Sequence, residues 1–304
     1  MASRRRLIFV TVNRINVFLL CLVPALLPVS ITDAQETEQE TVFVRVVEDE
    51  QDRPLALQLA IASYVPRSGD SRIQIDLVSA IHIGDKEYYA DLNTRFKGYD
   101  ATLYELIAPK DAVVISDRDP ENQSLISSTQ VAMKNMLSLS FQLDEVNYGA
   151  SNFVHADLSP AELSDSMEER GESLYIYFWR LFYASFDEYA KDPLGLQNMR
   201  LFSAMLTADS DNAFKTMLAY EMTDLEKASE ILGDDSQSAV IGARNQRAID
   251  VLKTQLASGD KRIAIFYGVA HMPDMEERLL QQLDLVYLDT AWVDAWRLST
   301  PVDR

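Results

Sequence analysis

The chain has one cysteine, Cys21, and only three histidines in 304 residues. Cys21 lies in an N-terminal apolar stretch, so no cysteine remains beyond residue 34. That excludes disulfides, thiolate metal sites and a cysteine nucleophile from the body of the chain. Cationic residues are also scarce, 28 Lys and Arg against 47 Asp and Glu, for a formal charge of −19. Such acidity argues against nucleic-acid binding, which draws its affinity from neutralised phosphates. It favours solubility and repels anionic membrane surfaces. Several motifs are absent: Gly-x-Ser-x-Gly, His-Glu-x-x-His, Walker A and Gly-x-Gly-x-x-Gly.

The first residues are Met1-Ala2-Ser3-Arg4-Arg5-Arg6, with Arg14 further on and Val17–Val29 almost wholly apolar. Thr32-Asp33-Ala34 then offers a small-residue cleavage site, which completes a secretory signal-peptide pattern over residues 1–34. Ser3-Arg4-Arg5 also suits a twin-arginine signal, so the export route stays open. The apolar stretch is short for a membrane span, and no other run approaches ~20 apolar residues. A mature chain with no stable membrane span is therefore expected, periplasmic or secreted. Cleavage after Ala34 removes four arginines and one aspartate, taking the formal charge to −22. Residues 35–41 read as a polar linker, and residues 42–304 as the functional domain.

Two of the three histidines occupy matching places. Ser79-Ala80-Ile81-His82-Ile83-Gly84 follows the apolar run Ile73–Val78 and precedes a helix-forming stretch, Lys86–Phe96. Gly268-Val269-Ala270-His271-Met272-Pro273 follows Ile263–Tyr267 and precedes Asp274–Leu283. Ligands in α/β folds gather at the carboxyl ends of strands, so both junctions are expected to face one site. Gly84 and Gly268 beside them permit tight turns and close backbone approach to a ligand.

The remaining elements predict an α/β fold. Two related β-α-β halves form a central mixed sheet region, with a long helical insertion between them at about residues 120–235. Val42–Val47 and Leu55–Tyr64 read as a hairpin across the turn cluster Glu48–Pro54. Ala101–Ile107 closes the first β-α-β unit, and the default right-handed crossover predicts that it lies parallel and adjacent to Ile73–Val78. Leu285–Leu288 closes the second unit. Ser159 before Pro160 predicts a helix start. A last helix over Ser236–Leu256 leads to the second histidine strand. Ser173–Ala190 carries an aromatic helical stripe, read as a core-facing helix.

His82, Glu105 and His271 form the main candidate constellation. Two neutral imidazoles and a carboxylate suit a divalent metal with an open coordination position. The same groups also suit metal-free chemistry, with a histidine as general base and the carboxylate orienting it. Arg244-Asn245, read alone amid Ala243, Gln246 and Arg247, is a solvated helix face. In His155-Ala156-Asp157, the spacing allows a metal clamp, but capping and turn chemistry by Asp157 is the simpler reading.

Together, Ser-Ala-Ile-His82, Tyr104-Glu105-Leu106, Ala243-Arg244-Asn245 and Gly268-Val-Ala-His271 resemble the TraB/PrgY–GumN–TIKI family, over about residues 42–297. That family is grouped with erythromycin-esterase-like and ChaN-like proteins. The resemblance implies that His82 and His271 are its paired Gly-x-x-His histidines and that Glu105 is its acidic residue. It also implies that Arg244 and Asn245 face the site. Ser79 departs from it, standing where the first motif usually has glycine. TIKI-type members are metal-dependent proteases, which implies an exported hydrolase of peptide or related amide or ester bonds, with His82, Glu105 and His271 holding a divalent metal ion. Two alternatives accompany it: a metal-free, histidine-based esterase-type hydrolase, and a non-catalytic binder of a peptide, haem or metal. In each case the partner is a peptide or small molecule.

Overall fold

The strand β1 (Val44–Glu48) turns back on β2 (Pro54–Pro66) as an antiparallel hairpin, in register from Val44 opposite Leu59. The turn is drawn tight by Asp49, whose carboxylate accepts the main-chain N–H groups of Gln51 and Arg53. Six consecutive residues of β2, Leu59–Tyr64, are buried, so this part of the strand is covered on both faces. β2 continues into an antiparallel pairing with β3 (Gln74–Ala80). On its other edge it pairs with β9 (Leu285–Arg297) along nearly its whole length.

This computed structural model describes residues 41–69, 72–109, 139–172, 210–223 and 238–298, all within one unit that begins at Thr41. The expected signal peptide, the aromatic helix Ser173–Ala190 and much of the expected insertion lie outside the described residues. No helix among the described residues is long and apolar enough to cross a membrane.

The chain is a mixed α/β protein with a central sheet of parallel and antiparallel strands. β3 lies parallel to β8 (Arg262–Gly268), in register from Gln74 opposite Arg262 to Ala80 opposite Gly268. β8 is followed in the sheet by β5 (Ala101–Tyr104) and β7 (Phe153–His155), both parallel to their neighbours. The β3 and β5 strands are thus parallel but not adjacent, which corrects the expected pairing. β8 is inserted between them, pairing on both edges, and Ile263, Ala264, Ile265, Phe266 and Tyr267 are all fully buried, as in a central parallel strand covered on both faces. A small second sheet joins β4 (Ile83–Gly84) to β6 (Ser140–Phe141).

Both β-α-β units are present, but they leave the centre in opposite directions. From β3 the chain runs through α1 (Lys86–Phe96) to β5, passing β8. From β8 it runs through α6 (Met272–Leu283) to β9, passing β3 and β2. β9 has 13 residues, far beyond the expected Leu285–Leu288, because it forms the long ladder with β2. Opposed connections from adjacent parallel strands create a topological switch point, where α/β sheets open a ligand crevice.

The described part of the region about 120–235 is not helical throughout. It holds β6, a short helix α2 (Gln142–Glu145), β7, α3 (Pro160–Glu169) and α4 (Ser210–Glu221). Ser159 caps α3 as expected, in a reciprocal capping box with Glu162. The last helix begins with a π-helical turn, Ala239–Ala243, and continues as α5 (Arg244–Ser258), which ends on Gly259 at a φ of 104°. A left-handed residue there is what glycine permits without a Cβ clash.

Candidate functional site at the β3–β8 switch point

Ala80 and Gly268 are register partners at the ends of β3 and β8. His82 and His271 therefore leave the sheet at the same end, from adjacent strands. The β3 exit is pinned by α1: the Tyr88 hydroxyl donates to the Ser79 carbonyl and the Tyr89 hydroxyl to the Ile81 carbonyl, both at 2.9 Å. Ser79 itself is buried, and its hydroxyl has no partner among the described residues. His82 is exposed at the mouth, and its carbonyl accepts the Gln142 N–H at 2.9 Å.

Glu105 follows the last residue of β5, and both its oxygens are engaged. Oε2 accepts the Gly268 N–H at 2.6 Å, and Oε1 accepts Arg244 Nη2 at 2.7 Å. Gly268 suits this approach, since a Cβ there would lie 3.2 Å from Glu105 Oε2 and push the carboxylate back by a few tenths of an ångström. Burial alone would raise the Glu105 carboxyl. The charge that His271 carries once protonated, the Arg244 guanidinium, the Gly268 N–H and a smaller contribution from His82 outweigh it and hold the group well below the usual carboxylate range.

His271 is buried, with Nε2 lying 3.6 Å from Glu105 Oε1. Its tautomer is set by Asn245. The Asn245 amide nitrogen donates to the His271 carbonyl at 3.0 Å and to Asp274 Oδ2 at 2.7 Å, which leaves Oδ1 as an acceptor. That oxygen is 2.7 Å from His271 Nδ1, so Nδ1 carries the proton and Nε2 presents a lone pair. Asp274 is held in turn by Arg278, at 2.6 and 3.0 Å. Burial pushes His271 down to about 4, partly offset by Glu105, so the ring is neutral at physiological pH.

Arg244 joins these groups. It forms a two-pronged pair with Asp157, Nε to Oδ1 at 2.9 Å and Nη2 to Oδ2 at 2.6 Å. Among the described residues Nη1 makes only long contacts, 3.3 Å to His271 Nε2 and 3.5 Å to the Val240 carbonyl. Burial disfavours the guanidinium charge, but the hydrogen bond to Asp157 and the charge of Glu105 more than restore it. Arg244 and Asn245 are 6% and 0% exposed, which overturns the solvated-face reading. The π turn explains the placement. The Ala243 N–H reaches back five residues to the Ser238 carbonyl, and Ser238 Oγ caps the Ile241 N–H. One extra residue in the turn rotates the downstream helix by roughly 100° relative to an uninterrupted α-helix.

Asp157 is the residue the sequence reading missed. It does accept the N–H of Leu158, as a turn-forming aspartate does, but its main partner is Arg244 and the cap of α3 is Ser159. The nearby His155 is not at the site: its Nε2 hydrogen-bonds the Leu106 carbonyl at 2.7 Å. Tyr267 borders the cluster, its hydroxyl donating to the Ala156 carbonyl at 2.6 Å and its ring 5.2 Å from that of His271.

The structure thus brings Glu105, His271, Arg244 and Asn245 into one connected cluster, with His82 at the same sheet end. Among the described residues, no three His, Cys, Asp or Glu side chains stand already gathered around a common point. No known protein family matches the chain, and no similar curated protein or solved structure was found.

Proposed function

We propose that the chain is an exported hydrolase of peptide or related amide or ester bonds, working in the periplasm or outside the cell after removal of residues 1–34. The observation that carries this reading is the pairing of His271 Nε2, a lone pair fixed by Asn245, with Glu105 Oε1 at 3.6 Å. This is the donor chemistry of a hydrolytic divalent-metal site.

The cluster's charge supports a cation. Two carboxylates, the half-buried Glu105 and the buried Asp157, face one guanidinium, so the trio carries one net negative charge. His271 and Glu105, with His82 from the mouth, would hold the ion. Such an ion would acidify a bound water and polarise a carbonyl. Asp157 fixes Nε and Nη2 of Arg244, and with them the whole guanidinium plane, which leaves Nη1, held only by long contacts among the described residues, as the donor to meet an oxyanion. Asn245, through Asp274 and Arg278, keeps His271 from rotating or changing tautomer. His271 stays unprotonated and Glu105 ionised throughout the working pH range.

One observation favours the metal-free alternative: Arg244 already presents its guanidinium to the same two atoms, Oε1 and Nε2. In that reading the exposed His82 is the general base. Turnover of a blocked-peptide library by the mature protein, with and without a chelator, separates the two. Cleavage abolished by chelation and restored by added divalent metal supports the first reading. Chelator-resistant cleavage supports the second, and no cleavage of peptides, amides or esters overturns both.

A further inference from the structure

We propose that Gln142 and Tyr148 form a donor–acceptor pair that binds one backbone amide of a peptide substrate beside His82 and Glu105. This inference rests on the hydrolase reading and assigns the pair as substrate-positioning residues.

The segment carrying them is fastened to the first histidine junction. Ile83 and Gly84 pair with Phe141 and Ser140, and the Gln142 N–H donates to the His82 carbonyl at 2.9 Å. On its other side the segment meets β5: the Tyr148 ring lies 5.1 Å from that of Tyr104, the residue before Glu105. The Gln142 and Tyr148 side chains thus meet between the segment's contacts with the first histidine junction and with β5. Both are buried, at 5% and 8% exposure.

Their hydrogen bonding is incomplete in a specific way. Gln142 Nε2 donates to the Tyr148 hydroxyl at 2.8 Å. Gln142 Oε1 is buried with no partner among the described residues. Among the same residues the tyrosine oxygen makes no other hydrogen bond, so its proton has no acceptor. Turning the amide over changes which atoms are left, not the outcome: tyrosine would donate to Oε1, leaving the Gln142 NH2 and a tyrosine lone pair. In either arrangement the pair keeps one donor and one acceptor in hand. A buried polar group without a partner is costly, and such groups collect at binding sites. A secondary amide offers one N–H and one C=O and satisfies both. An ester or an N-methylated amide satisfies only the donor. Burial, and after it the charge of Glu105, keeps the Tyr148 hydroxyl protonated and able to donate.

The test compares a library of end-blocked tripeptides with the same library N-methylated at the central amide, on the mature protein and on the Gln142→Leu/Tyr148→Phe double variant. KM and kcat are measured together with equilibrium binding and melting temperature. The wild type should favour the N–H library by about tenfold or more, the loss expected for one hydrogen bond. The double variant should lose this preference, with the change falling on KM more than on kcat. Its melting temperature should hold or rise, since both partners become apolar. Preference retained in the double variant overturns the inference. So does a lower melting temperature with unchanged KM, which would make the pair a structural bond. If the wild type cleaves nothing, the hydrolase reading fails, and binding alone decides this one. Tighter binding of the N–H library, lost in the double variant, sustains it, whereas equal or absent binding overturns it.

Discussion

Asn245 Oδ1 lies 2.7 Å from His271 Nδ1, and this contact sets which imidazole nitrogen faces Glu105. Asn245→Leu removes the acceptor while keeping a side chain of similar size. The ring is then free to turn or change tautomer. Removing such an orienting partner typically costs roughly 10–100-fold in metal affinity or activity. We expect a loss of about that size in turnover, measured beside metal affinity, and no change in either would separate Asn245 from the function of His271.

Asp157→Ala leaves the Arg244 guanidinium buried with half its partners. Removing one member of a buried ion pair costs about 3–5 kcal/mol, so urea unfolding should show a drop of that order. The double variant Asp157→Ala/Arg244→Met should recover much of it, since the uncompensated charge is gone, but should stay inactive. Equal stability of the two variants would mean that the pair is not coupled as the structure shows.

Gly268→Ala places a methyl group 3.2 Å from Glu105 Oε2 and crowds the approach of that carboxylate to the Gly268 N–H. Misplacement of a site group by about 1 Å can cost roughly 100-fold in rate, and the few tenths of an ångström needed here correspondingly less. Turnover should fall by at least ~10-fold, with a small shift in melting temperature. Full activity would show that Glu105 needs no such close contact.

Stability should fall in acid in two overlapping steps. His271 is depressed from its ordinary 6.5 to about 4. Its contribution is therefore complete above about pH 6.5 and is lost as pH falls toward 4. Glu105 is depressed from 4.5 to about 2, so its contribution is lost between those values. The two groups face each other 3.6 Å apart, so the steps are coupled and their sizes do not simply add. Urea midpoints of chelated protein at pH 7, 5 and 3 test this. His271→Gln should erase the upper step, and a wild-type profile flat from pH 7 to 4 would contradict a neutral, buried His271.

Arg244→Lys keeps the charge but loses the fork that meets Asp157 and Glu105 together. If Nη1 serves the oxyanion, turnover should drop about two orders of magnitude, in line with a lost donor worth roughly 3 kcal/mol. Turnover and unfolding are to be measured on one preparation. Unchanged turnover would make Arg244 purely structural.

How far these residues are legible in the sequence depends on their local patterns. His82 and His271 stand just past strands, where apolar runs stop, so one window of sequence reveals each; Glu105 reads as part of the run Ala101–Ile107, although the strand ends at Tyr104. Arg244 and Asn245 are hidden because the π turn breaks the helical period that would assign them to a buried face. Only the family resemblance points them inward. Asp157 is misread because it sits two residues before the true cap, Ser159, and its partner is 87 residues away. The insertion of β8 between β3 and β5 is likewise invisible locally, since a strand from much later in the chain enters the gap within the first β-α-β unit.

The most direct test of the central claim is elemental analysis of the mature protein and its His271→Ala and Glu105→Ala variants. The account predicts about one divalent ion per chain in the wild type, lost from both variants together with turnover. A wild-type protein that turns over peptides while holding no metal, or variants that keep both ion and activity, would contradict it.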